Sequence, residues 1–154
     1  LTAKHFIKNS ELLALVSNYN SAVKAAKAEG KEPPPIPNKI GLAFWKMSER
    51  LGDRYNFRKY PFLDEMIADG YEDCLKRMHN FDPTRTNNAF GYFTIVLFRA
   101  FVRRIKLEKR YLKTKLELTE RLNLLGLTSD NAEGDRTNYG IEVAQSDETL
   151  EYLK

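Results

Sequence analysis

Arg99, Arg103, Lys106 and Arg110 recur at steps of four, three and four. On an α-helix that spacing puts the four cations on one face. Phe93, Leu97, Phe101 and Ile105 follow the same period on a neighbouring face. One helix can then pack inward and present a cationic ridge, with Arg104 and Lys109 widening it. Such a ridge suits a nucleic-acid backbone, because each neutralised phosphate releases a counterion. The plain alternative is a solvated helix face. Just upstream stands Phe90-Gly91-Tyr92-Phe93. Aromatic rings beside a basic surface are what single-stranded bases stack on. Phe93 serves equally well as core, whereas Phe90 and Tyr92 fall near a helix start, where exposure is expected.

Four helices must position these residues. Asn9 and Ser10 offer an N-cap to a helix running to about Glu29, and Gly30 offers its stop. Pro33, Pro34, Pro35 and Pro37 then make a stiff connector. Ile40, Phe44, Met47 and Leu51 pattern a second helix from Asn38 to about Arg54. Leu63, Met66, Ile67, Tyr71, Leu75 and Met78 pattern a third, after a break at Pro61 and ending near His79. Asn80 to Asn88 is polar, holds Pro83, and is expected as a loop. The last helix runs from about Ala89 to Leu125, and Gly126 ends it. The expected fold class is all-α, a bundle of about four helices with a flexible C-terminal tail. The expected divisions are an N-terminal helix and connector over 1–36, a helical domain over 37–126 and an acidic tail over 127–154.

Charge is distributed unevenly along the chain. Arg99 to Lys115 holds eight Lys/Arg and one acid, whereas Thr128 to Lys154 holds seven acids and two bases. A basic segment followed by an acidic tail points to phosphate contact more than the overall charge of +4 does. Cys74 is the single cysteine, which removes an intrachain disulfide and a thiolate metal cage. His5 and His79 lie far apart, so no zinc spacing exists. No Gly-rich phosphate loop and no nucleophile with a base stands out, and neither an enzyme nor a cofactor is expected. No membrane-spanning run or secretory leader pattern is visible, and the expected location is cytoplasmic.

Three runs carry a resemblance to a known family: Glu65-Met66-Ile67-Ala68-Asp69-Gly70, His79-Asn80-Phe81-Asp82, and Ala100-Phe101-Val102-Arg103-Arg104-Ile105-Lys106. Their order resembles sigma conserved region two, and more narrowly the late sigma factor of T-even-like bacteriophages. The resemblance is concentrated over residues 62–110. It implies a factor that binds the host bacterial RNA polymerase core and directs initiation at late promoters through an AT-rich minus-ten-type element. By resemblance, Glu65, Ala68, Asp69, Tyr71 and Leu75 fall where the family docks on the coiled coil of the largest polymerase subunit. Phe90, Tyr92 and Phe93 fall in the segment that captures melted non-template bases. Arg99, Arg103 and Arg104 fall on the helix that meets promoter DNA, with Lys106 and Arg110 continuing its basic face. The location implied is the cytoplasm of the infected bacterium.

This chain also departs from primary sigma factors. Val96 and Leu97 replace a Trp pair at the upstream fork of the bubble, and Ala100 replaces a polar DNA-facing residue. After Gly126 nothing in the sequence resembles a helix-turn-helix, and none is expected. The phage family shares that gap and relies on a coactivator and the DNA sliding clamp. Leu150, Tyr152 and Leu153 in the acidic end match the family's clamp-inserting peptide, although such an end could instead pack back on the domain. Two rival readings stay open. One is a polymerase-binding regulator of appropriator or anti-sigma type that never reads a promoter. The other is a basic DNA-binding protein that works without polymerase.

Overall fold

The computed structural model describes residues 7–124. Four α-helices fill them: α1 Asn9–Ala28, α2 Asn38–Gly52, α3 Leu63–Arg77 and α4 Ala89–Leu124. A 3-10 turn, Met78–Asn80, extends α3. The described residues contain no strand. Residues through Arg104 form one compact unit and those from Ile105 a second, with the division falling inside α4. The expected all-α class is what the described residues adopt.

The end of α1 and the start of α4 each have an identifiable cap. Gly30 takes φ +69°, and its N–H donates to the Lys27 carbonyl while the Lys31 N–H donates to that of Ala26. That pair of bonds is a Schellman stop, for which glycine is favoured because a Cβ is strained there. Asn9, read from sequence as a cap for α1, lies inside α1 and serves α4 instead. Its Oδ1 accepts from the Phe90 N–H at 3.0 Å, and its Nδ2 donates to the Asn87 carbonyl at 2.9 Å. Asn88 completes that start by accepting from the Gly91 N–H at 2.8 Å. Two of the orphan donors that open every helix are thereby satisfied by asparagines.

The connector does not detach α1 from the first unit. Leu12, Val16 and Val23 of α1 are buried with Ile40 and Phe44 of α2. Asn20 donates to the Met78 carbonyl at 2.8 Å, tying α1 to the end of α3. Tyr19 donates to the Pro34 carbonyl and holds the connector against α1. The α2 stripe read from sequence, Ile40, Phe44, Met47 and Leu51, is entirely buried.

The buried stripe of α3 is narrower than its apolar pattern. Met66, Gly70 and Cys74 are buried, whereas Leu63, Ile67, Tyr71 and Leu75 are half-buried. At Gly70 side chains of α2 and α4 reach the backbone of α3. A Cβ built there would stand 2.9 Å from both Leu97 Cδ2 and Ser48 Oγ, and 3.0 Å from Phe101 Cε1. Ser48 is fully buried and donates to the Ile67 carbonyl at 2.8 Å, so it cannot swing away without stranding a hydroxyl. Phe44 and Phe93 pack beside this junction with ring centroids 4.5 Å apart.

Gly70→Ala therefore sets a helix-propensity gain of about 1 kcal/mol against an overpacking cost of about 1–3 kcal/mol. The expected result in urea denaturation is a net loss of stability. Gly41→Ala, whose Cβ meets only the Tyr71 hydroxyl at 3.4 Å, is expected to be neutral or slightly stabilising. Equal stability changes in the two variants would contradict this account of the junction.

Candidate polymerase and nucleic-acid interface

Helix α3 presents two different faces. Glu65, Ala68 and Glu72 are exposed, and Tyr71 and Leu75 are half-buried on the same side of the helix. Asp69 and Asp73 occupy the next row round and turn toward α4. Arg104 grips Asp69 with two bonds, Nε to Oδ2 at 2.7 Å and Nη2 to Oδ1 at 2.9 Å. Arg103 donates from Nη1 to Asp73 Oδ2 at 2.8 Å. That bond, with the neighbouring carboxylate charges, raises the Arg103 pKa above its ordinary value against the opposing pull of desolvation. Both partners of the Asp69–Arg104 pair are largely withdrawn from water, with side chains 22% and 23% exposed. Such a bidentate, sheltered pair is worth more than a surface ion pair.

These contacts divide the residues nominated from sequence. Asp69 and Arg104, nominated for two different partners, hold each other. Arg103 keeps an exposed side chain but is engaged by Asp73. Phe93 is fully buried against Phe44 and is core, with no ring face open to a base. Tyr92 is half-buried, its ring edge-on to Phe81 and Phe93 at 5.3 and 5.1 Å. Phe90 is half-buried in the first turn of α4. Arg99 is exposed in the first unit, and Lys106 and Arg110 are exposed in the second. Leu150, Tyr152 and Leu153 lie outside the described residues.

Three further positions of α4 are closed by burial. Val96, Leu97 and Ala100 are 7%, 1% and 0% exposed, so they face the core and are closed to any direct DNA contact. The exposed apolar residues of α4 in the first unit are Ile95 and Phe98, one and two positions away. Sequence reasoning missed them because both interrupt the period of the buried stripe.

Tyr71 and Leu75 open onto an apolar groove of about 480 Å³. Its other wall is Ile36, Gly41, Leu42 and Trp45, from the end of the connector and from α2. Trp45 sits edge-on to Tyr71 at 5.6 Å and donates from Nε1 to Glu49 at 2.8 Å. Ile36, Leu42 and Trp45 are 39%, 59% and 40% exposed. Grouped apolar exposure of this kind makes the groove a candidate binding surface. Sequence reading did not nominate these three. The available signal was that Leu42 and Trp45 lie off the buried Ile40, Phe44, Met47 stripe.

Chemistry of other kinds finds little footing. Cys74 is fully buried, and burial, helped by the Asp73 charge, pushes its thiol pKa far up. No three His, Cys, Asp or Glu side chains among the described residues converge on a metal-sized site. None of the described helices is long and apolar enough to cross a membrane. Neither protein-family models nor curated proteins match the chain.

A double-mutant cycle on Asp69→Ala and Arg104→Ala is expected to give a coupling of about 1–3 kcal/mol in urea denaturation. The same cycle on the exposed Glu72–Lys76 pair should give no more than about 0.5 kcal/mol. The Cys74 thiol is expected to resist a thiol-reactive dye at pH 8 in the native protein and to react at once in denaturant. Rapid labelling of the native protein would show that α3 opens locally.

Proposed function

We propose that this chain is a sigma-type specificity factor of the late-phage kind, which binds a host bacterial RNA polymerase core and directs it to promoters carrying an AT-rich minus-ten-type element. The observation that carries the reading is the open face of α3. Glu65 and Ala68 are exposed on it, and Tyr71 and Leu75 continue into an apolar groove walled by Leu42 and Trp45. A helical projection from the largest polymerase subunit has there both an acidic edge and apolar burial, the pairing that gives orientation and affinity together. On α4, Phe90, Tyr92 and Arg99 retain exposure and supply the DNA side, with Lys106 and Arg110 further along. Asp69, Arg103 and Arg104 act chiefly by holding α3 and α4 together. Leu150, Tyr152 and Leu153 are proposed to engage the sliding clamp, with a separate coactivator completing the late complex. The site of action is proposed to be the cytoplasm of the infected bacterium.

Specific observations favour a second reading, the regulator that docks on polymerase without reading a promoter. Arg103 and Arg104 are engaged by carboxylates, and Phe93 and Ala100 are buried, which thins the set of residues open to DNA.

Runoff transcription with bacterial core polymerase on a supercoiled template separates the two. The sigma reading expects transcripts that vanish when the minus-ten-type element is scrambled. Trp45→Glu should weaken core binding by at least about tenfold, the loss expected when a central aromatic anchor is removed. Arg99→Glu should leave core binding intact and reduce specific transcripts. Tight core binding with no specific transcript would favour the regulator, and no core binding would remove both.

A further inference from the structure

The turn between α2 and α3 has a chemistry that the polymerase reading does not use. From Arg50 to Tyr60 the chain carries Arg50, Arg54, Arg58 and Lys59 against Asp53 alone. All four cations are exposed. Among them stands Tyr55, 68% exposed. The Arg58 guanidinium carbon lies 5.9 Å and the Lys59 ammonium 5.2 Å from the centre of its ring. A tyrosine this open adds little to the core and keeps ring surface for a partner.

The turn is not a slack loop. The Phe57 and Arg58 N–H groups both donate to the Arg54 carbonyl, at 2.9 and 3.0 Å, and the Tyr60 N–H donates to that of Phe57 at 3.1 Å. Phe57 is 5% exposed and is driven edge-on against Phe101 and Phe98 of α4, with centroids 5.1 and 5.8 Å away. The anchor therefore fixes the cationic turn to the same helix that carries Arg99. A pinned backbone lowers the entropy that ordering the turn on a ligand would cost.

We propose that this turn is a second nucleic-acid site, one that takes single-stranded DNA. A base stacks on the Tyr55 ring while Arg54 and Arg58 meet the phosphates on either side. A ring flanked by cations is the arrangement that binds strands without regard to sequence, since every base offers a face and every nucleotide a charge. The site goes beyond the polymerase-docking groove and does not depend on it. Next to a melted promoter it would hold the displaced strand at a second point.

The test uses the full chain alone and a fluorescein-labelled oligothymidine of about fifteen nucleotides, long enough for such a site, read by anisotropy at low salt. Tyr55→Ala is expected to weaken binding about 5- to 100-fold, the loss of one stacked base, and Tyr55→Phe to retain it. Arg54→Gln with Arg58→Gln should flatten the slope of log affinity against log salt by about 1.4 for two phosphates. Lys27→Gln, at an exposed cation of α1, should change neither. Absence of binding by the unaltered chain, or equal binding by Tyr55→Ala and Tyr55→Phe, overturns the proposal. Tighter binding of a duplex that is indifferent to Tyr55 overturns it in favour of a plain electrostatic surface. No polymerase is present, so failure of the runoff experiment and failure of this one are separate results.

Discussion

The first unit depends on one missing atom. Without a Cβ at Gly70, α3 can settle until Ser48 of α2 and both Leu97 and Phe101 of α4 touch its backbone. Packed interiors tolerate neither a void nor an extra methyl, so this contact fixes the spacing of three helices at once. Ser48 donates to the Ile67 carbonyl at that separation. Cys74, one helical turn further along α3, is buried under the same approach and reaches the Phe93 carbonyl at 3.9 Å.

Close approach of α3 and α4 then determines what the charged residues do. Asp69 and Asp73 are a turn apart on α3, and Arg104 and Arg103 meet them from α4. The two ion pairs tie α3 to the part of α4 that carries Arg99. On the proposed reading, that is how polymerase binding and promoter contact would be joined, through ion pairs rather than through a shared surface.

The outer surfaces divide the work by chemistry. Apolar exposure collects where Trp45 and Leu42 face Tyr71 and Leu75, which suits a protein partner. Cationic and aromatic exposure collects at Tyr55, Arg54 and Arg58, which suits a nucleic acid. Neither surface intrudes on the core, because Phe44, Phe93 and Phe101 are fully buried between them. A site can thus be lost here without loss of the fold.

Helical periodicity by itself determined the four helices, and Gly30 and the proline cluster determined the first break. The reason is local: a 3.6-residue period and a left-handed glycine act within one segment of chain. The same logic identified Ile40, Phe44, Met47 and Leu51 as the buried stripe of α2. It could not tell whether Phe93 was core or contact, because both roles need the same ring at the same spacing. Nor could it show that Asn9 caps a helix some eighty residues downstream, that Asp69 would be taken up by Arg104, or that Trp45 would form a groove with Tyr71. Each of those is a pairing between segments distant in sequence. Such pairings exist only after the helices have packed, and a one-dimensional pattern carries no record of the packing distances.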